Sequence, residues 1–138
     1  MNLILDTDLG PDYDDVGAMA VMHALADSGY VNILATLSSN HDELVIPCIE
    51  VLNIYFNRPD IPLGAPKREG GVTMTSGHKI KWTEVLPAKY PHKTKKTSGF
   101  ILHSEIQKYR SNKILMFFIL PDKLFSFMKL FDLFSTYS

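Results

Sequence analysis

The feature that most constrains the fold is a short apolar run, residues 3–5 (LIL), that leads directly into five aspartates within positions 6–15. Apolar runs of this kind are typical of strands buried on both faces of a parallel sheet. In an open parallel sheet, ligands bind at the carboxyl ends of the strands. The sequence therefore predicts a buried first strand whose end carries a crowded group of carboxylates.

The residues that follow alternate between helical and strand patterns. We predict, in order, a helix over 16–28 ended by Gly29, a strand over 31–37, a helix from an N-cap at Asp42 to about Asn57, and a short strand over 61–63. The order β-α-β-α-β favours right-handed crossovers and a parallel sheet. The predicted fold class is α/β, with an open, mostly parallel sheet and flanking helices.

The second half of the chain does not continue this alternation. Residues 64–99 are rich in Gly, Pro, Thr, Ser and Lys and predict a long loop region. From residue 100 onward the composition shifts to Phe, Leu, Lys, Ser and Tyr. We therefore expect an incomplete α/β fold followed by an irregular carboxyl-terminal tail.

Charge and hydropathy limit the classes of partner. Lys and Arg number 14 against 15 Asp and Glu, a net charge of −1, so nothing favours nucleic acid or an anionic membrane surface. The apolar run 114–120 is far shorter than the roughly 20 residues that span a bilayer, and no secretory signal pattern opens the chain. We expect a cytoplasmic protein, unless a longer precursor carries a signal. The single cysteine, Cys48, excludes an internal disulfide and is predicted to be a small core residue.

Five neighbouring carboxylates present an electrostatic conflict. Like charges raise one another's pKa, so the group cannot stay fully ionised without a cation. Calcium accepts about six to eight oxygen ligands, and Gly10 and Pro11 supply a turn that folds the later aspartates back toward the earlier ones. The group predicted to gather around a calcium ion consists of Asp6, Asp8, Asp12, Asp14 and Asp15.

Three other interpretations of the aspartates compete with a calcium site. The helix dipole explains Asp14 and Asp15 alone but not the whole group. An EF-hand loop does not fit, because a strand precedes the aspartates and Gly10 falls one position early. A phosphatase of the haloacid dehalogenase class, with Asp6 as nucleophile and Asp8 as acid/base, is a third candidate, although Gly10 stands where such enzymes usually carry Thr or Val.

Four segments together carry a family resemblance. "LILDTDLGPDYDD", "GAMAVMHAL", "ILATLSSN" and "IPLGAPK" resemble the amino-terminal part of the inosine-uridine preferring nucleoside hydrolases, over about residues 2–98. The resemblance implies calcium-dependent hydrolysis of the N-glycosidic bond of ribonucleosides to ribose and free base, in purine and pyrimidine salvage. The partner would be a small ribonucleoside of unspecified base. A homo-oligomer is also implied, unless a missing second half removes its interface.

The resemblance assigns roles to individual residues. It implies that Asp8 is calcium ligand and general base, that Asp15 is a second calcium ligand, and that Asp14 and Asn40 contact the ribose. Asp6 would orient the loop behind them. The usual motif is Asp-x-Asp-x-Gly-x-Asp-Asp, whereas Asp12-Tyr13 is inserted here. Whether Asp12 or Asp14 takes the ribose role therefore stays open.

The family's later ligands cannot be placed in the remainder of the chain. We therefore expect two parts: residues 1–98, which resemble the first part of a nucleoside hydrolase domain, and residues 99–138, a divergent tail from truncation or a frame shift. Turnover would then be impaired. A calcium-binding fragment or interaction module without catalysis is the alternative function.

The single tryptophan and three of the histidines have side chains that could bind a ligand or take part in catalysis, and each also has a structural interpretation. A lone Trp82 is expected to anchor its loop to the core, although stacking on a base is the other interpretation. His23 and His41 are predicted to be structural or exposed. His78, in "TSGHKIKW", is expected to be either an exposed loop residue or part of an active-site entrance.

Overall fold

The computed structural model describes residues 1–10, 13–66 and 82–94 with their side chains, and the backbone of 114–120 and 123–129. The elements in chain order are β1 (Asn2–Thr7), α1 (Asp14–Asp27), β2 (Asn32–Ser38), α2 (Val45–Tyr55), β3 (Leu63–Gly64), α3 (Trp82–Lys89), β4 (Ile114–Leu120) and β5 (Lys123–Lys129). These strands form one sheet in the order β3-β2-β1-β4-β5. Adjacent strands are parallel except for the antiparallel pair β4 and β5. The predicted α/β class with a mostly parallel sheet is confirmed.

Strand β1 is central and buried on both of its faces. Leu3 and Leu5 belong to a core that also contains the α1 residue Met19 and the α2 residue Ile49. Because side chains alternate along a strand, Ile4 points to the opposite face, where it is 1% exposed. Two-sided burial explains the continuous apolar run at this position. The predicted core position of Cys48 is also confirmed, since that residue is fully buried.

Both long helices end on a residue in the left-handed backbone region. Gly29 follows α1 with φ 74°, and the Tyr30 N–H donates to the Leu25 carbonyl at 3.0 Å. Asn57 follows α2 with φ 58°, and the Arg58 N–H donates to the Asn53 carbonyl at 2.9 Å. These bonds satisfy carbonyls that the last helical turn leaves open. Gly29 is the terminator that the sequence predicts.

Two predictions about the second half of the chain are wrong. The expected loop over 64–99 contains the helix α3, whose pattern was hidden by its short length and by the internal Pro87. The expected irregular tail contains β4 and β5, and β4 extends the sheet beside β1. The apolar run 114–120 forms this strand, and because its partner β1 lies far away in sequence, no local pattern predicts the pairing. Within the described ranges, no helix has the length and apolar character needed to cross a bilayer.

A buried polar network joins α1, α2 and β2. His23 is fully buried; its Nε2 lies 3.0 Å from Asn53 Oδ1, and Asn53 Nδ2 donates to Thr36 Oγ1 at 3.0 Å. Phe56 stacks on the imidazole with a centroid separation of 4.5 Å. Arg58 Nη1 lies 3.5 Å from the other ring nitrogen, Nδ1. The prediction that His23 is structural is confirmed.

The charge state of His23 links this network to pH. Burial lowers the pKa of His23 from its ordinary 6.5, and the neighbouring Arg58 lowers it further, although Asn53 and Asp27 act in the opposite direction. The unfolded chain therefore binds more protons than the folded chain just below pH 6.5. By linkage, this group makes the folded state less stable as pH falls below that value.

We expect His23→Gln, which keeps an N–H donor toward Asn53 but does not titrate, to weaken this dependence. Chemical unfolding at about pH 7.5 and about pH 5.5 measures the free energy of unfolding of both proteins. The wild type should lose more stability on acidification than the variant, and other titrating groups cancel in the comparison. Equal losses would contradict the assigned role of His23.

Helix α3 is anchored to α2 beyond its carboxyl end. Glu50, which is 4% exposed, accepts hydrogen bonds from the backbone N–H groups of Lys93 at 3.0 Å and Thr94 at 2.8 Å. Burial alone would raise the pKa of Glu50, but these hydrogen bonds and the nearby His92 bring that pKa below its ordinary 4.5. A charged Glu50 therefore holds the end of this segment in place.

We expect Glu50→Gln to lower the free energy of unfolding by about 1–2 kcal/mol, because hydrogen bonds to a charged acceptor contribute about 1.5–3 kcal/mol and those to a neutral acceptor about 0.5–1.5 kcal/mol. The loss should be largest above pH 4.5 and shrink below it, as the wild-type carboxylate also becomes protonated. Urea unfolding measures the difference, with the exposed Asp60→Asn as matched control. A variant as stable as the control at neutral pH would exclude the anchor.

Candidate functional site

The carboxyl end of β1 is tied to the first turn of α1 by a chain of buried hydrogen bonds. The Leu9 N–H donates to Thr7 Oγ1 at 3.1 Å, and the Thr7 hydroxyl donates to Asp15 Oδ1. Thr7 lies on the same face of β1 as Leu3 and Leu5, which faces the helices. The side chain of Asp15 is thus held beneath the segment that carries Asp8. We call the described residues 8–10 and 13–15 the aspartate turn, with two arms that these ranges define.

The end of β2 supports the same segment from the other side. Asn40 is 1% exposed, and its Nδ2 donates to the carbonyls of Asp8 at 3.4 Å and Leu9 at 3.1 Å. Asn40 Oδ1 accepts from the Asp42 N–H at 3.0 Å. The Ser39 N–H donates to the Thr7 carbonyl at 2.9 Å, directly beyond the last strand pair. The loops after β1 and β2 are therefore joined into one unit.

A third contact reaches the aspartate turn from α3. The Trp82 indole Nε1–H donates to the Gly10 carbonyl at 3.1 Å, and the Trp82 ring lies 5.5 Å from the ring of Tyr13 at an interplanar angle of 38°. Trp82 also packs against the hydrophobic core. The prediction that Trp82 anchors its own segment is confirmed, and its hydrogen-bond partner is the aspartate turn.

The carboxylates of this edge interact electrostatically. Burial, and after it the charge of Asp8, raises the pKa of Asp6 to about 6. Burial raises the pKa of Asp8 as well, and the charge of Asp14 adds to that rise. Asp6 Oδ1 is buried and has no hydrogen-bond partner among the described residues. The described hydrogen bonds therefore do not compensate fully for the burial of the Asp6 and Asp8 carboxylates or for their repulsion.

The structure places the predicted site residues as follows. Asp8 and Asp15 are buried, at 6% and 1% exposure, Asp6 is partly buried, and Asp14 is exposed at the start of α1. Asn40 joins them from the neighbouring strand end. Asp12 and His78 lie outside the described residues. Four of the five aspartates and Asn40 thus lie around one edge of the sheet.

Two contributors to this edge were not predicted as site residues. Thr7 links Leu9 to Asp15, and only its place on the inward face of β1, two residues after Leu5, hints at that role. The sequence predicts that Trp82 anchors a loop, but its hydrogen-bond partner lies 72 positions away, and no local pattern reveals such a pair.

The donor atoms at this edge are oxygens, the type that hard divalent cations prefer. Within the described ranges, no group of three or more His, Cys, Asp or Glu side chains is arranged to hold a metal ion. Asp8 and Asp15 are the two buried carboxylates of the aspartate turn in the described part of the chain. Further ligands for a cation would have to come from water, backbone carbonyls or residues outside that part.

Comparison of the chain with protein-family models, with curated proteins and with solved structures finds no match.

We expect Thr7→Val to lower the free energy of unfolding by about 2 kcal/mol. The isosteric change removes the hydroxyl and with it two buried hydrogen bonds, each of which contributes on the order of 1 kcal/mol. Thr7→Ser keeps the hydroxyl and is the matched control. Urea unfolding measures both variants, and a Val variant no less stable than the Ser variant would contradict the importance of this contact.

Proposed function

We propose that the aspartate turn is the first half of a calcium-dependent nucleoside hydrolase site that cleaves the N-glycosidic bond of ribonucleosides. The observation that carries the proposal is the convergence of Asp8, Asp15 and Asn40 at the carboxyl ends of two adjacent parallel strands. This is the edge where open α/β sheets bind ligands. The motif resemblance supplies the reaction class, which the geometry by itself does not.

The residues present are chemically suited to calcium. The buried Asp6 Oδ1 lacks a described hydrogen-bond partner, and the neighbouring carboxylates concentrate negative charge that a divalent cation would neutralise. Asp8 and Asp15 would hold the ion. When bound, calcium supplies positive charge that acidifies water and orients sugar hydroxyls.

The chain's own residues would then activate the water and stabilise the transition state. Asp8 would accept a proton from the attacking water at a carboxylate oxygen, while the water oxygen forms a bond to the anomeric carbon. The bond from that carbon to the base nitrogen breaks, and the base leaves with the electron pair and takes up a proton from solvent, to which Asp8 returns the proton that it accepted. The negative charge of the edge would stabilise the cationic character that the ribosyl group develops.

The two residues that the resemblance assigns to the ribose differ in their exposure to solvent. Asp14 is exposed beside Asp8 and would accept a hydrogen bond from a ribose hydroxyl. Asn40 uses its amide to hold the backbone of residues 8 and 9 and the Asp42 N–H. We therefore propose that Asn40 supports the sugar site chiefly by keeping the aspartate turn in position.

We expect ribose release from inosine or uridine that depends on added calcium. Asp8→Asn should reduce the rate at least a hundredfold, because it removes the base and one ligand charge together. Asp60→Asn, an exposed carboxylate away from this edge, is the control. A reducing-sugar assay measures the rate.

Other outcomes separate the alternatives. Calcium binding without ribose release would favour a non-catalytic calcium-binding module. Release of phosphate from a generic phosphomonoester with magnesium, and no ribose release, would favour the phosphatase interpretation instead. Either result would overturn the proposed reaction.

A further inference from the structure

We propose that Trp82 is a positioning residue that holds together the two arms of the aspartate turn, residues 8–10 and 13–15, and thereby sets its affinity for calcium. The inference rests on the proposed function, because it concerns the same calcium site. Trp82 donates its indole N–H to the Gly10 carbonyl and packs its ring against Tyr13. Gly10 ends the first arm and Tyr13 begins the second, so one side chain contacts both arms.

The chemistry of tryptophan suits this double contact. Its indole combines a large apolar face with a single ring donor, so it can stack on Tyr13 and hydrogen-bond to Gly10 at the same time. Phenylalanine can replace the first contact but not the second. The two contacts are therefore separable by substitution.

The support behind Trp82 is itself held in place. Thr83 is buried, Leu86 packs against the hydrophobic core, and Glu50 holds the backbone of residues 93 and 94 beyond the end of α3. Trp82 therefore extends from an anchored helix and not from a free loop. A side chain on such a support can restrict the turn that it contacts.

Restriction of the turn bears directly on the carboxylates. Asp8 lies two residues before Gly10, and Asp15 lies two residues after Tyr13. Partners behind metal ligands typically change metal affinity by about 10-fold to 100-fold when they are removed. We expect loss of the Trp82 hydrogen bond to fall at the lower end of this range, because Thr7 and Asn40 still hold the segment.

The test is calorimetric titration of the full chain with calcium chloride. Trp82→Phe should bind calcium about tenfold more weakly than the wild type while still unfolding cooperatively. Tyr90→Phe, an exposed aromatic residue just beyond the same helix, should bind as the wild type does. Should Trp82→Phe fail to fold, Tyr13→Leu removes the ring contact and leaves the Trp82 hydrogen bond to Gly10 in place, and the calcium affinity of that variant should fall several-fold.

A spectroscopic readout accompanies the titration. Trp82 is the single tryptophan of the chain, so its emission reports on this contact directly. In the wild type we expect a saturable change in emission at the calcium concentrations that calorimetry defines. A Trp82 emission spectrum that does not change when calcium binds would count against the inference.

The outcomes distinguish failure of the Trp82 positioning role from failure of the proposed hydrolase site. A Trp82→Phe protein with wild-type calcium affinity would overturn the positioning role and leave the proposed hydrolase site intact. A wild type that binds no calcium at millimolar concentrations would remove the proposed site, and the inference would fall with it.

Discussion

The hydrogen bond from the Thr7 hydroxyl to Asp15 is the contact on which the rest of the described site depends. It joins the last residue of β1 to the first turn of α1, so it determines where the helix begins relative to the sheet. Because Thr7 also accepts from the Leu9 N–H, the same hydroxyl fixes the backbone after Asp8. One small side chain thus organises both arms of the aspartate turn.

The carboxylates at this edge make the turn electrostatically costly. Asp6 and Asp8 both have raised pKa values, since burial disfavours their charged forms and each has a charged neighbour. A fold gains nothing in stability from such an arrangement by itself. A bound cation, as proposed above, would offset this cost by neutralising the carboxylates. Thr7, Asn40 and Trp82 then keep the repelling groups close together from three directions.

The sequence predicts the first half of the fold well because its signals are local. The apolar run before Asp6, the helical spacing after Val16 and the terminator Gly29 each reflect a few neighbouring residues. Helix α3 escapes prediction because it is short and contains Pro87. Strand β4 is not predicted because it pairs with β1, which is distant in sequence, and no local pattern indicates that pairing.

In the candidate site, too, the sequence predicts the features that depend on local patterns and misses those that depend on distant contacts. The positions of Asp8 and Asn40 at strand ends, and of Asp15 at the start of the next helix, follow from the alternating pattern, and the three residues are found together. The role of Thr7 depends on which face of β1 turns toward α1, and the role of Trp82 depends on a contact across 72 residues. Such partners are set by tertiary packing, which no short motif encodes.

The most direct measurement is a crystal structure of the chain grown with calcium, with anomalous scattering used to locate the ion. We expect a calcium peak at the carboxyl end of β1, bonded to oxygens of Asp8 and Asp15 at about 2.3–2.6 Å. An ordered aspartate turn with these carboxylates directed apart, and no ion between them at millimolar calcium, would contradict the proposed site.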